Sequence, residues 1–217
     1  MTQALDELLD QLPAVAGPRQ VEELSGGLTN LNIKVVTPTG AYVVRWFRSD
    51  ASLLGIDRDA EHANTRAAAQ AGVGARVVDY RPDLKVLVIG YIDGVTLTNA
   101  SFGETGVIER AAAACRLLHR GPRFVNEFDM FARQGGYRRI VREHGFPLFP
   151  AYDEYAERFD RVQRALSVGG DPTVPCNNDL LAGNFIDDGA KIWLIDYEYS
   201  GNNDPCFELG NIGTECD

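Results

Sequence analysis

Three polar side chains set around one short β-turn-β stretch constrain this chain more than any other feature. Asp179 is followed five positions later by Asn184, and Asp196 ends the apolar run Ile192-Trp193-Leu194-Ile195. Asp187-Asp188-Gly189 supplies a tight turn between the two strand-like runs 185–187 and 191–195. A hairpin there brings Asn184 and Asp196 close together, beside the loop that carries Asp179. The Asp-to-Asn spacing alone describes ordinary turn residues. The apolar strand that ends in a second acid is what makes a site of it.

The rest of the chain predicts two unlike halves. Leu5, Leu8, Leu9 and Leu12 recur at helical spacing, so residues 3–12 read as a surface helix. Strands are expected at Val21 to Leu24, Asn32 to Val36 and Tyr42 to Phe47, the last two a hairpin about Pro38-Thr39-Gly40. A helix over 58–71 ends near Gly72, and strands follow at Arg76 to Tyr80 and Val86 to Tyr91. Beyond residue 105, helices are expected at Val107 to Leu118, near 136–144 and over 151–167, with short β runs at 173–176, 185–187 and 191–195. The expectation is an α+β chain: an N-terminal lobe over 1–92 and a mostly helical C-terminal lobe over 93–217.

Composition narrows the function classes. The 217 residues carry a formal net charge of -10, which argues against sequence-independent nucleic-acid binding, since that needs surplus Lys and Arg. Cys115, Cys176, Cys206 and Cys216 form no C-x-x-C pair, and no His is spaced to complete a zinc site. They read as reduced, buried thiols. Met1 to Ala16 is acidic and lacks the pattern of a signal peptide, and no apolar run is long enough to cross a bilayer. The expected location is cytoplasmic, with no membrane partner.

Asp179, Asn184 and Asp196 suit phosphoryl transfer. One carboxylate accepts a hydroxyl proton, while an amide and a second carboxylate offer oxygens to magnesium. Leu24-Ser25-Gly26-Gly27-Leu28-Thr29-Asn30 lets backbone approach a bound group closely, and Ser25, Gly26, Gly27, Thr29 and Asn30 could face phosphate oxygens. By itself this reads as a plain turn. Arg45, inside an apolar strand, needs a partner or a polar opening. Glu61 on the following helix is the candidate partner. His119 falls at a helix end, where a structural role is expected.

These residues resemble the choline/ethanolamine kinase branch of the aminoglycoside phosphotransferase-like superfamily, in particular bacterial LicA-type choline kinases. The matching stretches are Leu24 to Asn30, Val44-Arg45, Arg58 with Glu61, Leu117-Leu118-His119, Cys176 to Phe185, Ile195 to Gly201 and Asn203 to Asn211. The resemblance implies a two-lobed protein-kinase-like fold and ATP-dependent phosphorylation of a small amino alcohol, with ATP and Mg2+ as cofactors. It implies Asp179 as catalytic base and Asn184 and Asp196 as magnesium ligands. Arg45 with Glu61, and Ser25 to Asn30, would hold the ATP phosphates. Ile89 to Ile92, including Tyr91 and Ile92, would line the adenine site with backbone groups. Glu198 and Asp204 would lie beside the acceptor, where carboxylates and aromatic faces such as Tyr197 or Tyr199 suit a cation.

Two departures accompany the resemblance. Asn177 stands where the family carries a His that anchors backbone near the metal-binding Asp. A loosened loop is expected there, with the chemistry kept because Asp179 remains. Relatives also continue with further helices after the point where this sequence stops, at Asp217. Their absence would leave apolar surface on the C-terminal lobe for a partner or a second copy. The alternatives are a catalytically impaired nucleotide-binding relative, or a kinase for an aminoglycoside, thiamine or sugar.

Overall fold

The computed structural model describes residues 3–25, 29–47, 51–167 and 173–216. Its first half is an antiparallel sheet made from β1 (Gln20–Glu23), β2 (Asn30–Thr37), β3 (Gly40–Phe47), β4 (Val77–Arg81) and β5 (Val86–Gly90), in the order β1-β2-β3-β5-β4. The hairpin about Pro38-Thr39-Gly40 is present, with Thr37 opposite Gly40. Alternation along the strands gives each face its own job. Ile33, Val35, Val44, Val86 and Val88 pack against Leu5, Leu8 and Leu9 of α1 (Gln3–Asp10) and Leu12 just beyond it. Phe47, Leu87 and Ile89 form a second cluster with Ala75. Arg45 follows Val44, so its side chain leaves by the face opposite the α1 core.

Helix α2 (Arg58–Gln70) links the halves. Asp57 caps it by accepting from the backbone N–H groups of Asp59 and Ala60, and Gly72 at φ +80° ends it. Ala68 of α2 and Val73 beyond it lie in the C-terminal core with Ala111, Cys115 and Leu118 of α3 (Val107–His119) and with Leu180, Phe185, Ile192, Leu194 and Tyr197. A short sheet of β6 (Val95–Thr96), β8 (Phe185–Asp187) and β9 (Ile192–Leu194) sits on that core. Gly94, entering β6, packs so closely on β8 that an added Cβ would meet the Asp187 carbonyl oxygen at 2.6 Å.

Several elements differ from the sequence expectation. The helix expected near 136–144 is α4 (Met130–His144), six residues longer at its start. Gly135-Gly136 weakens the local helix signal, but Asp129 caps the true start by accepting from Phe131 N and Ala132 N. The helix expected over 151–167 is a 3-10 turn at Pro150–Tyr152 followed by α5 (Ala156–Leu166). β10 (Gly201–Asn203), paired with β7 (Val174–Cys176), and α6 (Pro205–Glu215) were not anticipated as elements. The expectation of buried thiols holds for Cys115 and Cys176; Cys206 is exposed and Cys216 half-buried. Among the described residues no helix is long and apolar enough to cross a membrane. Ile108 and Leu209 remain exposed along a groove of about 570 Å³ between α3 and α6.

Candidate active site

Two residues that are not glycine carry left-handed backbone at the heart of the site: Asn178 at φ 65° and Asp196 at φ 61°. Such conformations persist only where surrounding bonds over-determine them. Asn178 Nδ2 donates to the Tyr199 carbonyl at 3.2 Å, and its Oδ1 accepts from Asn203 Nδ2 at 2.8 Å. Asn177 Nδ2 donates to the carbonyls of Ile195 at 3.1 Å and Asp196 at 2.9 Å, while its Oδ1 accepts from Asp179 N at 3.1 Å. One amide thereby ties the loop of Asp179 to the backbone of Asp196. Asn at this position thus still reaches the Ile195 and Asp196 carbonyls on which an anchor must act.

Asn184 joins the same assembly. It ends the 3-10 turn Ala182–Asn184. Its Nδ2 donates to the Asp179 carbonyl at 2.6 Å, and its own carbonyl accepts from Ile195 N at 3.0 Å. An amide that commits its nitrogen to a carbonyl turns its oxygen away from that bond, and oxygen is the donor a magnesium ion takes. Burial raises the Asp179 pKa to about 6, with further contributions from Asp196, Glu198 and Glu215. Burial also raises Glu198, as does Asp196. The cluster sets four carboxylates (Glu61, Asp179, Asp196 and Glu198) against two guanidinium groups, Arg45 and Arg58. Surplus negative charge at partly buried oxygens fits a divalent cation.

Arg45 spans the lobes. Its Nη2 lies 2.7 Å from Asp196 Oδ1 and its Nη1 3.2 Å from Glu61 Oε1, with the Glu61 side chain wholly buried. The partnership expected from sequence is therefore present, and Asp196 adds a second carboxylate to it. Arg45 and Asp196 line a cavity of about 260 Å³, whose walls also include Leu24, Ser25, Val43, Ala75, Ile89 and Ile186. Tyr91 and Ile92 also line it. The Tyr91 N–H is engaged by the Ala41 carbonyl at 3.0 Å. A cavity that sets apolar walls beside a cation suits an aromatic base joined to phosphates.

The remaining expected residues divide. Thr29 and Asn30 are buried and both donate to Glu198 Oε2, at 2.8 and 3.2 Å. Gly26 and Gly27 lie outside the described residues. The Asp204 carboxylate accepts from Cys206 N at 2.8 Å and caps α6. Tyr197 packs in the core and donates to the Leu194 carbonyl, whereas Tyr199 is half-buried.

Sequence reasoning missed Glu208. Wholly buried, it accepts from the backbone N–H groups of Asn177 and Asn178 through Oε1 and meets His119 Nε2 through Oε2. His119 has the structural role expected of it. Ligand-type atoms of His119, Cys176 and Glu208 lie within 4.8 Å of one another. The bonds just described already occupy both Glu208 oxygens, so the cluster reads as the anchor of the Asp179 loop. The sequence signal was an acid four residues beyond the Asp204-Pro205 helix start, on the face that also carries Ile212.

Residues 20–215 match the phosphotransferase enzyme family. Protein LicA of Haemophilus influenzae is 26% identical over 196 residues, covering 86% of this chain and 56% of that protein. A probable ethanolamine kinase of Arabidopsis thaliana is 25% identical over 218 residues, covering 91% of this chain and 58% of its own. This chain thus spans little more than half the length of those relatives. A crystal structure of a choline/ethanolamine kinase family protein from Mesorhizobium loti superposes with a TM-score of 0.83 at 32% identity, over 98% of this chain and 70% of that one. With a kinase-like two-lobed fold, its polar residues gathered at the cleft and a family match over nearly its whole length, the chain belongs to the phosphotransferase enzyme family.

Proposed function

We propose that the chain carries the catalytic core of an ATP-dependent phosphotransferase acting on the hydroxyl of a small amino alcohol, choline or ethanolamine. The observation that carries this reading is the binding of Asp179, Asn184 and Asp196 into one assembly facing Arg45. The likeness to LicA, to a probable ethanolamine kinase and to a choline/ethanolamine kinase family structure supports the acceptor class.

In this reading Asp179 accepts or orients the acceptor hydroxyl proton, aided by a pKa high enough to make it a competent base. Arg45, fixed by Glu61, reaches the α- and β-phosphates, and Ser25 to Asn30 cover them. The apolar slot beside Tyr91 and Ile92 takes the adenine. Asn184 and the Asp196 carboxylate would hold magnesium, which neutralises phosphate charge when bound. Positioning and charge neutralisation supply most of the rate. Surplus carboxylate charge and the Tyr199 ring favour a cationic acceptor, with Asp204 at the edge of that region.

The test is ATP consumption against choline, ethanolamine, thiamine and kanamycin-type acceptors, by the wild type and by Asp179→Ala and Asp196→Ala. Turnover with an amino alcohol, reduced at least about a thousandfold in both variants, is expected. Turnover only with thiamine or an aminoglycoside replaces the acceptor, and unchanged turnover in either variant overturns the mechanism.

A further inference from the structure

Five side chains form a ring whose two ends lie on one segment. Asp196 meets Arg45, Arg45 meets Glu61, Glu61 Oε2 meets Arg58 Nη1 at 2.6 Å, and Arg58 Nη1 meets Glu198 Oε2 at 3.2 Å. The middle three belong to β3 and α2. The two ends flank Tyr197, which is locked in the C-terminal core. Arg45 to Asp196 is thus one attachment between the lobes, and Arg58 to Glu198 is a second.

The second attachment is dense. One oxygen of Glu198 gathers Thr29 Oγ1, Asn30 Nδ2 and Arg58 Nη1, donors from the start of β2 and the start of α2. The Glu198 side chain is 9% exposed, and the Arg58 guanidinium lies over the Phe47 ring, 4.2 Å from its centroid. Three donors within 3.2 Å of one oxygen tolerate little relative motion, because hydrogen bonds weaken steeply with distance and angle. Two attachments on one rigid segment also resist rotation, which a single ion pair does not.

We propose that Glu198 and Arg58 are positioning residues that hold the cleft closed, Glu198 serving as an interlobe strut rather than as a ligand for the acceptor. The role in nucleotide binding rests on the phosphotransferase reading above; the strut itself does not. With the strut cut, the lobes part at the phosphate end of the cleft, while the acceptor side keeps its groups.

The test compares Arg58→Gln, Glu198→Gln and their double variant with the conservative Arg58→Lys. Hydrogen exchange in the nucleotide-free protein reads the strut directly. Amides at residues 29–33 exchange about tenfold faster in each single variant, the double variant is no faster than the faster single, and Arg58→Lys falls between. In the active enzyme the KM for ATP rises about tenfold and the KM for the acceptor stays put. Unchanged exchange in both single variants, or a double variant that multiplies their effects, overturns the strut, as does a raised acceptor KM with unchanged ATP KM. If the wild type consumes no ATP with any acceptor, the functional reading fails and exchange still decides the strut. Should Glu198→Gln not fold, the graded response of Arg58→Lys and Arg58→Gln decides it alone.

Discussion

The side-chain amide of Asn177 donates to the backbone carbonyl of Asp196 at 2.9 Å, and that bond ties the loop of the expected base to the expected metal ligand. Asp196 has left-handed backbone, so the anchor also maintains a conformation that L residues seldom adopt. Removing it in Asn177→Ala orphans the Ile195 and Asp196 carbonyls and the Asp179 N–H. The expected cost is about 1–3 kcal/mol in urea unfolding, with a fall in turnover larger than the fall in ATP affinity. Asn177→His, which keeps a side-chain N–H donor at that place, is expected to lose less. A cost below about 0.5 kcal/mol for the alanine variant would show the anchor to be incidental.

Asp179 should titrate near pH 6 in the metal-free protein, because burial and the neighbouring acids disfavour its charge. Its native pKa lies above the unfolded value of about 3.9, so the native state binds the extra proton between those pH values. Its contribution to stability is complete below the unfolded pKa and is lost as pH rises through about 6. Turnover runs the other way and falls as pH drops, since a base must be deprotonated. Carboxyl carbon shifts followed by NMR check this, and a midpoint near 4 contradicts it.

Arg45 is the partner of a wholly buried Glu61. In Arg45→Met the acid keeps only Arg58, and the expected loss is near the lower end of about 3–5 kcal/mol by denaturant unfolding. Replacing both residues, as in Arg45→Met with Glu61→Leu, should recover most of it. Arg45→Lys keeps a charge but not the fork that reaches two acids, so it should retain stability better than ATP affinity.

Glu208→Ala removes the acceptor for two buried backbone N–H groups and the partner of His119. A loss of about 2–5 kcal/mol is expected, with faster amide exchange at Asn177 and Asn178. Glu208→Gln keeps an oxygen for the two N–H groups and can donate its N–H to a neutral His119 Nε2, so it should lose less than the alanine variant. Slow exchange at both amides in the alanine variant would sink this role.

Much of the molecule could be read from order along the chain. The sheet strands, α2 and α3 have strong periods and clear caps or turns, so local chemistry sufficed to find them. Local chemistry failed at α4, where paired glycines hide a helix whose start is an Asp cap, and at α6, whose Asp-Pro start went unread. Asp179, Asn184 and Asp196 were legible because their types and spacing already describe a hairpin beside a loop. Arg45 with Glu61 was legible as an ordered pair. No spacing could show that Arg45 also holds Asp196, that Glu198 turns to Thr29, Asn30 and Arg58, or that Glu208 grips the loop of Asp179. Those partners lie between 30 and 169 positions apart along the chain, and only tertiary docking brings them within bonding distance. The sequence by itself determined which chemistry was on offer. The tertiary structure decided which oxygen meets which nitrogen, because a buried polar group takes whatever partner the packing delivers to it.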